Sequence, residues 1–462
     1  MIGVKVGVKP VFSSLIHSGA WEGPCRVGDL ADLTPEAEKT RAKEAFGQLK
    51  EHLEENLSAD AQVLEPVMIE LGEDLVIRQS EFQKLEADLP EVDLYLVSGH
   101  GCCQYAGVKI GERYNKPVAM VGPGVSTVDC AAYLRSRGLE GFAPLDFDEL
   151  NQLISLLRVR KTFQQMNMLV VADEEIITIG VVSSVWNLED LKARLGIDSK
   201  RISFRGLSDE VDRVIESKTE QRKAVQLVDK LVSNAQELRI DEDYVTNDVN
   251  FYLAIKNLME KYECNAVTVP CFELCCTQLP AQWQAVPCLT HSLLKDQGYP
   301  SSCEGDISVL LGMALLMAIA NKSSFMGNPA FHENVIRLTH SVPGLKMNGF
   351  DSPDLPYHLA SFTAGGWGTK IQIDLAANEE KEVTLARFNP LATKVLIARG
   401  KTVRCEFHEN GCSPSVFIEV ADARELIHKQ VDYGHHMAMV YGDYTSEAEK
   451  LGELLGLEVE VV

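Results

Sequence analysis

The longest apolar run in the chain, residues 307–320, is too short to cross a bilayer, so no membrane partner is expected. No basic segment followed by an apolar stretch and a cleavage site opens the sequence. A surplus of positive charge is also missing: 44 Lys and Arg stand against 67 Asp and Glu, a formal net charge of −23. Such a surface repels phosphate backbones, which argues against a nucleic-acid partner and leaves metal cations and neutral sugars as natural ligands. There is no paired Cys-x-x-Cys of the kind that builds structural zinc sites, no complete dinucleotide fingerprint, no P-loop, no internal repeat and no low-complexity segment. Twelve cysteines without a leader point to a reducing, cytoplasmic compartment.

What is present is a long chain with a large potential core. Its 462 residues are 45% hydrophobic, which suggests about three domains. In the first third, β-branched or apolar runs at residues 4–11, 63–69, 93–98 and 117–121 read as buried strands, with a helical pattern over 35–57. A second stretch repeats the alternation, with strands expected at 169–172, 177–182, 201–204 and 266–269 and helices at 188–195, 210–216 and 220–237. Strands separated by helices imply parallel sheets, whose ligands bind at the carboxyl ends of the strands. Beyond residue 323 the pattern changes to alternating segments at 335–339, 370–374, 382–387, 394–399 and 415–420, with Gly- and Pro-rich turns, as in an antiparallel barrel or small sandwich. The tail adds an extended segment at 437–441, a helix for which Ser446-x-x-Glu449 offers a capping box, and a last strand. The fold class expected is therefore α/β: two Rossmann-like parallel-sheet domains, residues 1–163 and 164–322, and a β-rich barrel domain, residues 323–462.

Two segments carry candidate chemistry. In Ser302-Cys-Glu304-Gly-Asp306, just before the apolar run, Asp306 fits the N-cap of a buried helix. Glu304 lies upstream, where its carboxylate is free to act as a general base or metal ligand, although both acids also fit a plain helix start. In Tyr433-Gly-His435-His436, two histidines enter a strand, so alternation predicts that only one of them faces a given pocket. A solvent histidine beside a core histidine is the ordinary alternative. Cys271, Cys275, Cys276, Cys288 and Cys303 precede the Glu304 segment in a spacing poor for zinc, and read as small buried side chains at strand ends. Ser98-Gly-His100-Gly and Gly122-Pro-Gly124 read as tight turns at a pocket rim.

Taken together, the Glu-Gly-Asp before a long apolar helix and the Gly-His-His before a strand, helix and terminal strand resemble the L-fucose/L-arabinose isomerase family. Ser323-Ser-Phe-Met-Gly327-Asn328 sits where that family carries an acidic metal ligand, and Val335-Ile-Arg-Leu-Thr-His340 resembles a strand that presents another histidine ligand. The resemblance implies Glu304 as proton shuttle and metal ligand and His436 as imidazole ligand. His340 and Asn328 would fill the remaining ligand positions, with Asn328 also in the catalytic set. It implies a divalent cofactor, manganese (Mn2+), and a homo-oligomer, a trimer or hexamer with sites near subunit interfaces. His17, His100 and His435 become candidates for substrate contact. One departure stands out: Gly327 or Asn328 occupies the second acidic position, and Glu333 is the nearest acid that could replace it.

The family's reaction is a metal-assisted aldose–ketose interconversion of a pentose, hexose or deoxysugar through an enediolate. The missing acid leaves room for two alternatives: a sugar-binding or regulatory protein on the same fold, and a related epimerase or aldolase.

Overall fold

The computed structural model describes residues 3–20, 22–23, 27–72, 74–100, 103–173 and 178–462, with the His100 side chain outside the description. They form two compact units, Gly3–Arg158 and Val159–Val462. No helix among the described residues is long and apolar enough to cross a membrane.

The first unit is an all-parallel sheet centred on Val6–Leu15, which is buried along nearly its whole length. Ala61–Val63 and Val67–Leu71 pair along one edge of that strand, and Leu94–His100 along the other. Val118–Ala119 and Gly141–Phe142 complete the sheet. The expected single strand at 63–69 is divided because Pro66 has no N–H to give to a ladder.

The second unit opens with a four-stranded parallel sheet in the order Ser301–Cys303, Ala266–Val269, Asn167–Val171, Asp198–Ile202. The two inner strands, Ala266–Val269 and Asn167–Val171, are short and mostly apolar and buried, as strands covered on both faces require, whereas the edge strand Asp198–Ile202 is polar and exposed up to Ile202. The strand expected at 201–204 ends at Ile202, because Ser203 caps the next helix, Phe204–Glu216, by accepting the Gly206 N–H at 3.0 Å. Of the strand expected at 177–182, the described residues 178–182 form none. Residue 177 lies outside the described residues, and residues 178–187 run as a loop whose serines brace the site described below.

The chain then builds a closed six-stranded antiparallel barrel from Phe325–His332, Val335–Thr339, Glu382–Phe388, Lys394–Glu406, Ser415–Val420 and Met437–Tyr441. Each strand pairs with two others, so the ring has no free edge, and Glu458–Val461 adds in parallel to its outside. Residues 370–374, expected in the barrel, leave it: Thr369–Gln372 joins a separate three-stranded sheet with His358–Ser361 and Glu237–Arg239. The capping box at Ser446 and Glu449 is not used. The last helix starts at Thr445, whose N–H is taken by Asp443.

The helix Ile307–Ala320 connects the parallel sheet to the barrel and is buried on every side up to Ala318. Gly312 lets it lie directly on the barrel strand Glu382–Phe388, where a Cβ would stand 2.8 Å from the Ala386 carbonyl oxygen. A second tie is Asp248, fully buried on the helix Glu242–Lys261, which accepts the N–H groups of Val286 at 2.7 Å and Thr369 at 2.5 Å. Asp248→Ala leaves both donors without a partner. It is expected to lower stability by about 2–4 kcal/mol, read from the urea midpoint at unchanged m-value.

Candidate functional site

At the carboxyl end of Ser301–Cys303 the chain makes a tight turn in which Glu304 (φ +60°) and Gly305 (φ +68°) are both left-handed. A glutamate in this region is strained, so the turn must be held from outside. Gly305 donates to the Val269 carbonyl and Asp306 to the Cys303 carbonyl, each at 3.2 Å. From the loop 178–187, the Ser184 hydroxyl donates to the Gly305 carbonyl at 3.0 Å and accepts the Ile307 N–H at 2.9 Å. The expected cap is present as well: Asp306 Oδ1 accepts the Val309 N–H.

The same carboxylate does more than cap. Asp306 Oδ2 lies 2.6 Å from Arg387 Nη1 and 2.8 Å from His436 Nδ1, and all three side chains are fully buried. Arg387 spends its remaining donors on the carbonyl of Tyr433 (2.6 Å), the carbonyl of His436 (3.2 Å) and the carbonyl and hydroxyl of Ser183 (3.1 Å each). Burial opposes the charge on Asp306, but Arg387 and His436 outweigh it and hold its carboxyl below the usual range. His436 is likewise disfavoured as a cation by burial, yet Asp306 and Glu304 raise its pKa above the ordinary histidine value.

His436 Nε2 faces Glu304 Oε2 across 3.6 Å, and His340 Nε2 lies 3.2 Å from Glu304 Oε1. The ligand atoms of Glu304, His340 and His436 all fall within 4.8 Å of one another, a buried group that can hold one metal ion. Burial works against the charge of Glu304, and the imidazoles of His340, His435 and His436 overcome it, keeping the carboxyl well below the usual carboxylate range. Burial lowers the pKa of His340, with Glu304 offsetting this only in part.

His435 corrects one expectation. It does not turn away from His436: its Nε2 stands 3.9 Å from Glu304 Oε2, and the two rings lie 4.3 Å apart between centroids. Strand alternation fails because the strand begins only at Met437 and the backbone turns at Gly434 (φ +106°). His435 remains half exposed beside a buried cluster.

The other candidates fall elsewhere. Gly327 and Asn328 lie in the barrel strand Phe325–His332, opposite Met437 and Thr339, the immediate neighbours of His436 and His340. Gly327 is tightly packed: a Cβ there would stand 3.0 Å from Leu338 Cβ and 3.1 Å from the Thr339 nitrogen, so a side chain needs its neighbours to give by a few tenths of an ångström. Asn328 Oδ1 is buried and has no hydrogen-bond partner among the described residues. Glu333 does not substitute: it is exposed in the hairpin turn at the far end of that strand. In the first unit, His17 hydrogen-bonds Glu38 at 3.0 Å, and the His100 side chain lies outside the described residues. Of the five cysteines, Cys288 and Cys303 are buried, but Cys275 and Cys276 are exposed on the short helix Cys271–Cys276.

Sequence reasoning missed Arg387, Ser183 and Ser184. Arg387 had a signal: in Glu382–Phe388 it shares one strand face with Val383 and Leu385, a cation in line with core residues.

Over 329 residues the chain is 25% identical to the sulfoquinovose isomerases of Priestia aryabhattai and Priestia megaterium, covering 68% of this chain and 68% of each relative. It is similar to sugar isomerases. The similarity does not single out the fucose or arabinose enzymes, and no family model matches the chain.

Asp306→Asn would leave Arg387 buried without its counter-charge and is expected to cost about 3–5 kcal/mol by chemical denaturation. Because the folded pKa of Asp306 is depressed, its contribution is present above the ordinary value of 3.8 and is lost as pH falls below it. The stability difference between wild type and Asp306→Asn should therefore narrow below pH 3.8.

Proposed function

We propose that this chain is an enzyme, a sugar ketol-isomerase that interconverts an aldose and a ketose through an enediolate with the help of a divalent ion, Mn2+ being the first candidate. One observation carries the reading: a buried carboxylate kept ionised by imidazoles faces the Nε2 of His436, a buried nitrogen without a hydrogen-bond partner among the described residues. The similarity to sulfoquinovose isomerases supports the same class of reaction on a sugar.

The donor set fits a divalent cation. Glu304 supplies negative charge, and His436 has its Nδ1 committed to Asp306, the carboxylate–histidine arrangement that orients a ligating imidazole. The 3.6 Å between Glu304 Oε2 and His436 Nε2 is too long for a hydrogen bond and suits two ligands sharing one ion at about 2 Å each. Asn328 would offer a neutral carbonyl oxygen in place of the family's second acid, which weakens the site for a hard cation.

A divalent ion held there would polarise the substrate carbonyl and stabilise the enediolate. The proton work belongs to Glu304, which enters ionised, accepts the proton from the carbon beside the carbonyl and returns it one carbon away. His435, the half-exposed member of the cluster, is the side chain placed to meet sugar hydroxyls. A cytoplasmic location and a trimeric or hexameric assembly belong to the same proposal. For the substrate we propose a pentose, hexose or deoxysugar, with a sulfonated hexose added to the panel because of the relatives.

The test is conversion of aldoses to ketoses with Mn2+ across that panel, followed by NMR in D2O. The expected result is turnover with solvent deuterium at the carbon next to the carbonyl, lowered by about 10²–10⁴-fold in Glu304→Gln at unchanged melting temperature. Sugars that raise the melting temperature without turning over would instead make the chain a binding protein, and shorter fragments would make it an aldolase.

A further inference from the structure

The two buried imidazoles beside Glu304 carry their protons on different nitrogens. The Ser341 backbone N–H, which can only donate, points at His340 Nδ1 from 3.0 Å. The proton of the neutral His340 ring must then sit on Nε2, where it is donated to Glu304 Oε1 at 3.2 Å. His436 has the opposite arrangement. Its Nδ1 meets Asp306 Oδ2 at 2.8 Å, a carboxylate already paired with Arg387 that can only accept. The proton sits on Nδ1, and Nε2 is left buried with no hydrogen-bond partner among the described residues.

Building on the metal-assisted reading above, we infer that only His436 of these two imidazoles is a metal ligand, and that His340 is a positioning residue whose N–H holds Glu304 Oε1 and leaves Oε2 for the ion. For His340 to ligate through Nε2, its proton would have to move to Nδ1, where it would meet the Ser341 N–H donor to donor. Turning the ring over does not help, because ring carbons would then face both Ser341 and Glu304, and both hydrogen bonds would be lost. His340 is only 2% exposed, so no water stands ready to replace them. The inference separates two residues that proximity alone would group as equivalent ligands.

Pulsed EPR of the Mn2+-loaded full-length protein counts imidazole nitrogens bound to the ion without reference to turnover. Wild type should show a single imidazole, lost in His436→Ala. His340→Gln, which keeps an N–H donor, should bind Mn2+ within about threefold of wild type with the nitrogen signal unchanged. His340→Ala, which loses the donor, should bind about 10–100-fold more weakly with the same signal. Two imidazoles that persist in His435→Ala, or a nitrogen signal lost in His340→Gln, would overturn the inference and leave the metal reading standing. Wild type that binds no Mn2+ would overturn both. Should the His340 variants fail to fold, the imidazole count in wild type and His435→Ala decides.

Discussion

The site hangs on the carboxylate of Asp306. It caps the helix Ile307–Ala320, neutralises Arg387 and fixes the ring of His436, all without access to water. Buried charge is tolerated only when every donor and acceptor is used, and here nearly all of them are. Arg387 in turn donates to carbonyls on both sides of the Gly434 turn, which sets where the His435–His436 segment leaves that turn. A change at either member is therefore felt as a shift in the imidazole, not only as a loss of stability.

Around that ion pair the fold brings together strand ends of two kinds. A parallel sheet delivers Glu304 at the carboxyl end of Ser301–Cys303, where ligands of such sheets are bound. A closed antiparallel barrel delivers His340 just past Val335–Thr339 and His436 just before Met437–Tyr441. The helix between them can approach the barrel because residue 312 has no side chain. The left-handed turn at Glu304 is strain held in place by Ser184, Val269 and Cys303, and it turns the carboxylate toward the imidazoles.

The electrostatics of the cluster follow from the same packing. A carboxylate in a dry pocket would ordinarily take up a proton, yet the imidazoles around Glu304 keep it charged. The consequence is a buried group of one ionised carboxylate and two imidazoles that could hold a metal ion, with a half-exposed imidazole at its edge. Such a set favours a divalent cation held with modest charge over a hard ion that needs several carboxylates.

Much of this was legible in the sequence. Periodicity and turn residues marked the change from α/β to β-rich chain, because strand and helix periods depend on local geometry. The N-cap role of Asp306 could be read from residue type and spacing alone, whereas the Glu304 and His436 segments stood out as a candidate site only through the resemblance to the L-fucose/L-arabinose isomerase family. The loop at 178–187 could not, since its Ile, Thr and Val residues look like a strand until one sees which backbone groups their neighbours brace. The face taken by His435 was misread because alternation holds only inside a strand, and Gly434 ends that rule one residue earlier. What only the tertiary structure decided is partnership: that Arg387 meets Asp306 across 81 positions, that Gly327 is packed tightly against Leu338 and Thr339, and that the Ser341 N–H sets the proton of His340. Contacts of that kind depend on distant segments meeting in space, and no local pattern encodes where they meet.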